Sequence, residues 1–366
     1  MTDPRVTALA DVLIGYSTAL QPGQTIAITG PPPATPLLLA LYRRALEAGG
    51  HPYILADFPE TTELLLRHGN DAQLAHVSPL MNTVVDEFDS IVRIIAPANT
   101  RTLSGADPGR QRQALSAQRE LRGRMMGRMT DGRHHDLITL FPTAALAQEA
   151  DMSLSDYENF VFGACRLDQP DPVAAWREQS AAQQRVVEWL AGKERMHITG
   201  PDIDLELGIG GRGFVNADGK VNFPDGEVFT SPVEDATRGH VKISYPAVFN
   251  AREVNQVELW FDAGRLVKYT AAQGYDFLDQ MLNTDEGARR LGEIAIGTNP
   301  DIRRFTKNTL LDEKIAGTIH MALGQSFAHI GGRNQSALHW DMVTDMTGGQ
   351  ITVDGTLIYQ DGAFVL

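Results

Sequence analysis

Between Thr25 and Asp57 the chain runs strand, helix, strand, and that succession constrains its fold more than any other feature. Thr25-Ile-Ala-Ile-Thr29 reads as a short buried strand, Gly30-Pro31-Pro32-Pro33 breaks it, and a helix follows from about Pro36 to Ala48. Gly49-Gly50 stops the helix, and His51 to Asp57 supplies the second apolar strand. Two strands joined by a crossover helix form a βαβ unit and imply a parallel sheet. Ser90 to Ala96 and Asp136 to Phe141 read as two further buried strands. Val6, Leu9, Leu13 and Tyr16 recur at helical spacing ahead of them. The first half is therefore expected to be an open α/β domain.

The texture then changes. A long helix is expected over roughly Pro172 to Lys193, and beyond it short strand-like runs alternate with turn dipeptides. These turns are Ala217-Asp-Gly219, Pro224-Asp-Gly226, Ala263-Gly264, Asp354-Gly355 and Asp361-Gly362. Such dipeptides between alternating residues are hairpin signals. With one helix near Gly274 to Leu291, the second half reads as mostly antiparallel β, an α+β domain. The 366 residues fit two domains, with expected bounds of 1–193 and 194–366.

Charge and cysteine content narrow the partners. With 32 Lys and Arg against 46 Asp and Glu, the net charge is −14, which repels phosphate backbones and anionic lipid. Cys165 is the single cysteine, which excludes an intrachain disulfide and a Cys-rich zinc module. No basic, apolar leader is visible near Asp3 and Asp11, and the dense apolar run Leu37 to Tyr42 is too short to span a bilayer. The expected setting is cytoplasmic, with no nucleic acid and no membrane as partner.

The chemistry concentrates in the second half. In Leu338-His339-Trp340-Asp341-Met342, a strand puts His339 and Asp341 on one face and Trp340 on the other. By itself such a pair is more simply a structural hydrogen bond. His320, however, lies in an apolar, small-residue run preceded by Asp312-Glu313. Glu293 interrupts the apolar run Leu291 to Gly297, and Glu227 follows the turn at Gly226. Ionised carboxylates are costly to bury unless paired or bound to metal. Glu227, Glu293, Glu313 and Asp341 bring four negative charges, which two divalent cations balance. His320 and His339 add neutral ligands. Two such ions can share and acidify a water for hydrolysis, although this ligand set does not choose amide over phosphate ester.

Four of these runs, Asn222 to Pro232, Gly292 to Pro300, Asp312 to Gly324 and Ser336 to Val343, resemble the thermophilic metallo-aminopeptidases, the aminopeptidase T family. Asp151 to Val161 resembles that family too. The resemblance spans most of the chain, in the family's motif order. It implies an N-terminal α/β domain, a β-rich catalytic domain and a homodimer acting on short peptides. It matches Glu227, Glu293, Glu313, His320, His339 and Asp341 to metal-ligand positions, and favours Glu293 and Asp341 as shared ligands. Glu227 and Glu293 are the candidates for general base. The ions implied are two divalent cations, with zinc, cobalt, manganese and magnesium all compatible with mixed carboxylate and imidazole ligands. Where relatives often carry a tyrosine after the first histidine, this chain has Phe327, which cannot hydrogen-bond an oxyanion.

Two other readings compete. His320, His339 and Asp341 would suffice for a mononuclear iron(II) ring-cleaving dioxygenase of the dihydroxypyridine type, which resembles this family; the extra acids argue for the hydrolase. A non-catalytic metal- or peptide-binding relative is the other. Elsewhere, His134-His135-Asp136 reads as a loop feature, Gly208 to Gly213 as a hairpin turn and the arginines from Arg119 to Arg133 as a solvated helix face. Cys165 reads as a core residue, and His329 and Arg333 as possible cavity residues.

Overall fold

The apolar strands of the first half lie side by side. In the computed structural model, which describes residues 3–250 and 252–366, the sheet order is His51–Ala56, Thr25–Gly30, Ser90–Ile95, His135–Leu140 and Asn222–Phe223, all parallel. The crossover helix Thr35–Glu47 buries Leu37, Leu38, Leu41 and Ala45, one stripe at helical spacing. It ends against Gly49, whose φ of +80° a side chain would disfavour. The expected first helix is α-helical over Pro4–Val12 and closes in a π-helical turn over Leu13–Ser17.

The later sequence forms antiparallel sheets. One is eight-stranded and includes Arg195–Gly200, Ile203–Gly208 and Gln350–Val353. Three of the expected turns are two-residue hairpin loops: Ala263-Gly264, Asp354-Gly355 and Asp361-Gly362. In each, both residues have positive φ, as a primed turn demands. The other two turns do different work. The strand after Gly219, Asn222–Phe223, pairs in parallel with His135–Leu140, and the Pro224-Asp-Gly226 turn then leads into Glu227–Thr230. The helix expected to Leu291 is shorter, Tyr275–Leu282, followed by a 3-10 turn over Glu286–Arg289. Asp285 separates them, because its side chain accepts from Ala288 N and starts the second turn afresh.

The chain divides into two compact units, Met1–Ala175 with Gly219–Phe223, and Trp176–Asp218 with Pro224–Leu366. Most of the helix Pro172–Leu190 therefore precedes residue 193 yet falls in the second unit. Val186 and Leu190 explain this, since they enter that unit's core. Gln183 also ties the helix down, donating to Asn216 Oδ1, Ala217 O and Glu227 O at 2.8–3.0 Å.

A second antiparallel sheet carries the acids and imidazoles. Its order is His339–Asp345, Thr318–Gly324, Leu291–Gly297, Glu227–Thr230 and Val215–Ala217. One face supplies Ile294, Ile296, Ile319, Met321, Leu323, Trp340 and Met342 to the core. Trp340 is 1% exposed and packs against the rings of Phe249 and Phe277, with centroids 5.4 and 5.8 Å away. Trp340→Ala is expected to cost about 3–5 kcal/mol of stability, the usual range for emptying a buried aromatic site. Denaturant midpoints measure this, and a loss below about 1 kcal/mol would contradict the packing described.

Candidate metal centre

Register decides what shares the other face. Glu293 pairs with Ala322, and Ala322 with Asp341, so these form one row across three strands. In the neighbouring rows Ala295 pairs with His320 and Gly324 with His339. Gly297 lies opposite Glu227. Directly paired residues point to the same side of a sheet. The acids and imidazoles are thus interleaved with Ala295, Gly297, Ala322 and Gly324, whose small side chains leave room between them. At Gly324 φ is +108°, a conformation that side-chain-bearing residues rarely adopt.

All six expected residues gather, but not in equivalent places. Ligand atoms of Glu293, His339 and Asp341 lie within 4.8 Å of one another, as do those of Glu313, His320 and Asp341. Asp341 belongs to both triads. Glu293 Oε1 is 3.5 Å from His320 Nε2, and its Oε2 is 3.3 Å from His339 Nε2. Glu227 stands outside both triads, on the far side of the His320 ring, with Oε2 3.5 Å from Nδ1.

The imidazoles are oriented by backbone. His320 Nδ1 faces Glu313 O at 3.2 Å and His339 Nδ1 faces Gln325 O at 2.9 Å. A carbonyl only accepts, so each Nδ1 carries the hydrogen and each neutral ring turns its Nε2 lone pair toward the carboxylates. Among the described residues, Asp341 Oδ1 is buried without a hydrogen-bond partner at the meeting point of the triads. With neutral rings that anion faces two lone pairs and has no donor, so either cations or protons must occupy the space between them, and divalent cations suit such a donor set.

The titration behaviour follows from that deficit. Burial alone would lower His320, but Glu227 and Glu293 more than offset it and raise its pKa to about 10. Burial opposes His339 likewise, yet Asp341 and Glu293 raise it to about 11. Without cations, the acids draw protons onto the imidazoles instead.

The sequence reading missed Lys314 and Asp225. Lys314 is buried with Nζ 2.5 Å from Glu227 Oε1, 2.8 Å from Glu313 Oε1 and 3.5 Å from Asp225 Oδ1. Asp312-Glu313-Lys314 looks like a solvated turn, and only its immediate apolar neighbours, Leu310-Leu311 and Ile315-Ala316, hinted otherwise. One ammonium offsets one additional carboxylate, so the four-against-four charge balance survives.

Other candidates supply no ligand atom to either triad. The Arg333 side chain is exposed beside Glu234, 3.5 Å away. The Phe327 ring stands against Phe229 and His339, with centroids at 5.2 and 5.5 Å, and His329 is exposed beside it. In the first unit His134 and His135 each bond a backbone carbonyl, of Phe88 and Lys220, while Asp136 pairs with Arg93 at 2.9 Å. Cys165 is fully buried, and burial pushes its thiol up.

The sequence model of a family described as thermophilic metalloprotease (M29) matches residues 2–364. Aminopeptidase 2 of Geobacillus stearothermophilus is 31% identical over 345 residues, covering 87% of this chain and 83% of that protein. Aminopeptidase T of Thermus aquaticus is 28% identical, covering 98% of this chain and 95% of that protein. Among solved structures, wild-type AmpT from Thermus thermophilus matches with a TM-score of 0.85 at 23% identity, covering 99% of each chain, which is a likeness of fold.

Proposed function

The chain belongs to the thermophilic metalloprotease (M29) family, and on that premise we propose a dinuclear, metal-dependent aminopeptidase that releases N-terminal residues from short peptides. Family and relatives make it a metallo-aminopeptidase, a hydrolase needing divalent metal. An iron dioxygenase finds no support among the named relatives. The observation that carries the dinuclear reading is the convergence of two backbone-oriented imidazoles and two carboxylates, those of Glu293 and Glu313, on Asp341.

In this reading Glu293, His339 and Asp341 hold one ion, and Glu313, His320 and Asp341 the other. Bound there, divalent ions polarise a carbonyl and acidify water. Asp341 is common to both triads, and Glu293 turns one oxygen toward His320 and the other toward His339. Of the two candidate bases, Glu293 faces the space between the imidazoles, whereas Glu227 faces Lys314. Glu293 is therefore the better placed of the two to take the proton of the attacking water, through the oxygen turned toward His320 and not committed to the ion at His339. The His339 side chain is 32% exposed while that of His320 is 1% exposed, so substrate approaches from the His339 side. Phe327 and Phe229 line that approach with apolar surface, and neighbouring carboxylates attract the peptide's ammonium. A homodimer in the cytoplasm completes the reading; among the described residues no helix is long and apolar enough to cross a membrane.

The test joins metal analysis to a leucine-nitroanilide assay, before and after chelation and readdition of each ion. Two ions per chain, with turnover lost on chelation and restored by at least one of them, is the expected result. Turnover that survives verified metal removal would refute the proposal.

A further inference from the structure

Lys314 does not touch the two triads evenly. Its ammonium is 2.8 Å from Glu313, a member of the His320 triad, and 2.5 Å from Glu227, which backs the His320 ring. Glu293 and His339 instead meet each other and Asp341 at the more exposed end. A cation taken by Glu313 must therefore share its carboxylate with a fixed positive charge that solvent cannot screen, since the Lys314 side chain is 1% exposed. The repulsion between an ammonium and a divalent ion grows as the local dielectric falls, and it acts on one triad far more than on the other.

The same contact explains how the buried end stays assembled without an ion. Asp225, Glu227 and Glu313 all turn a carboxylate oxygen toward Lys314, within 3.5 Å. Buried carboxylates need such a partner. The lysine keeps its charge at that end when an ion is bound, whereas His339 must give up its proton to ligate; among the described residues no lysine or arginine ion-pairs with Glu293 or Asp341, and Lys314 acts on Asp341 only at longer range. We propose that the two triads bind cations unequally, Glu293–His339–Asp341 tightly and Glu313–His320–Asp341 weakly and exchangeably, because Lys314 competes for Glu313. This inequality presupposes the dinuclear reading above and adds which ion is lost first.

Calorimetric titration of Co2+ into chelator-stripped full-length protein, followed in parallel by the visible absorption of the bound ion, tests it. Wild type is expected to bind in two steps whose dissociation constants differ by about tenfold or more, a gap that one unit charge close to a divalent ion readily produces. His339→Ala removes the tight step and leaves the weak one. Lys314→Met narrows the gap by tightening the weak step. A merely structural lysine would leave the gap unchanged or widen it, and that outcome overturns the inference, as do two equal steps in wild type. The wild-type isotherm decides the matter even if Lys314→Met folds poorly. Binding of one ion or none overturns the dinuclear reading, and the inequality with it, and is distinguishable from two equal steps by stoichiometry.

Discussion

Asp341→Asn is expected to lower leucine-nitroanilide turnover by about a thousandfold or more and to reduce the ions retained at both triads. A thousandfold loss corresponds to about 4 kcal/mol of transition-state stabilisation, a scale a metal centre can supply. Asp341 is the one residue common to both triads, and among the described residues its buried Oδ1 accepts no hydrogen bond and meets only the two imidazoles, at 3.5 and 3.8 Å. An amide keeps the shape, loses the charge and can turn an NH2 group toward the imidazoles. Steady-state kinetics together with metal analysis provide the measurement. Turnover within tenfold of wild type, with two ions still bound, would remove Asp341 from the centre.

Metal binding at neutral pH should release about two protons per chain, and the stripped protein should lose stability as pH rises. Both follow from the imidazoles, whose pKa values stand near 10 and 11 against an ordinary 6.5. Ligation needs neutral rings, so each ion displaces a proton. The sign is that of raised bases. Their stabilising charge is fully present below about 6.5 and is lost as pH passes through about 10 to 11. The unfolding free energy of the stripped protein should therefore fall between pH 7 and pH 10 by up to about 1.4 kcal/mol per pH unit for each group, and its melting temperature with it. The loaded protein should show a flatter profile. Titration calorimetry in buffers of differing ionisation enthalpy counts the protons. Stoichiometric metal uptake without proton release would mean that the histidines are not ligands.

Much of the fold was legible because it is written in short-range signals. The helix Thr35–Glu47 sits between a proline break and Gly49, and positive-φ turns close three hairpins. Asn222–Phe223 was not legible, since two residues carry no periodicity and their pairing partner lies in the other half of the sequence. In the site, Glu293 announced itself by interrupting an apolar run, and Asp341 by sharing a strand face with His339. What sequence could not give was registration: that Ala322 stands between Glu293 and Asp341, or that Glu227 lies behind His320 and faces Lys314. Lys314 escaped notice because an ammonium next to Glu313 looks ordinary until burial is known.

The two faces of the Glu293, His320 and His339 strands also determine how this protein can vary. Slipping any of them by one residue would swing tryptophan, methionine and isoleucine outward and drive ionised acids into oil. Such a defect has no mild form. Insertions and deletions should therefore be confined to the connecting loops, while within these strands descent can proceed only by exchange of one side chain for another.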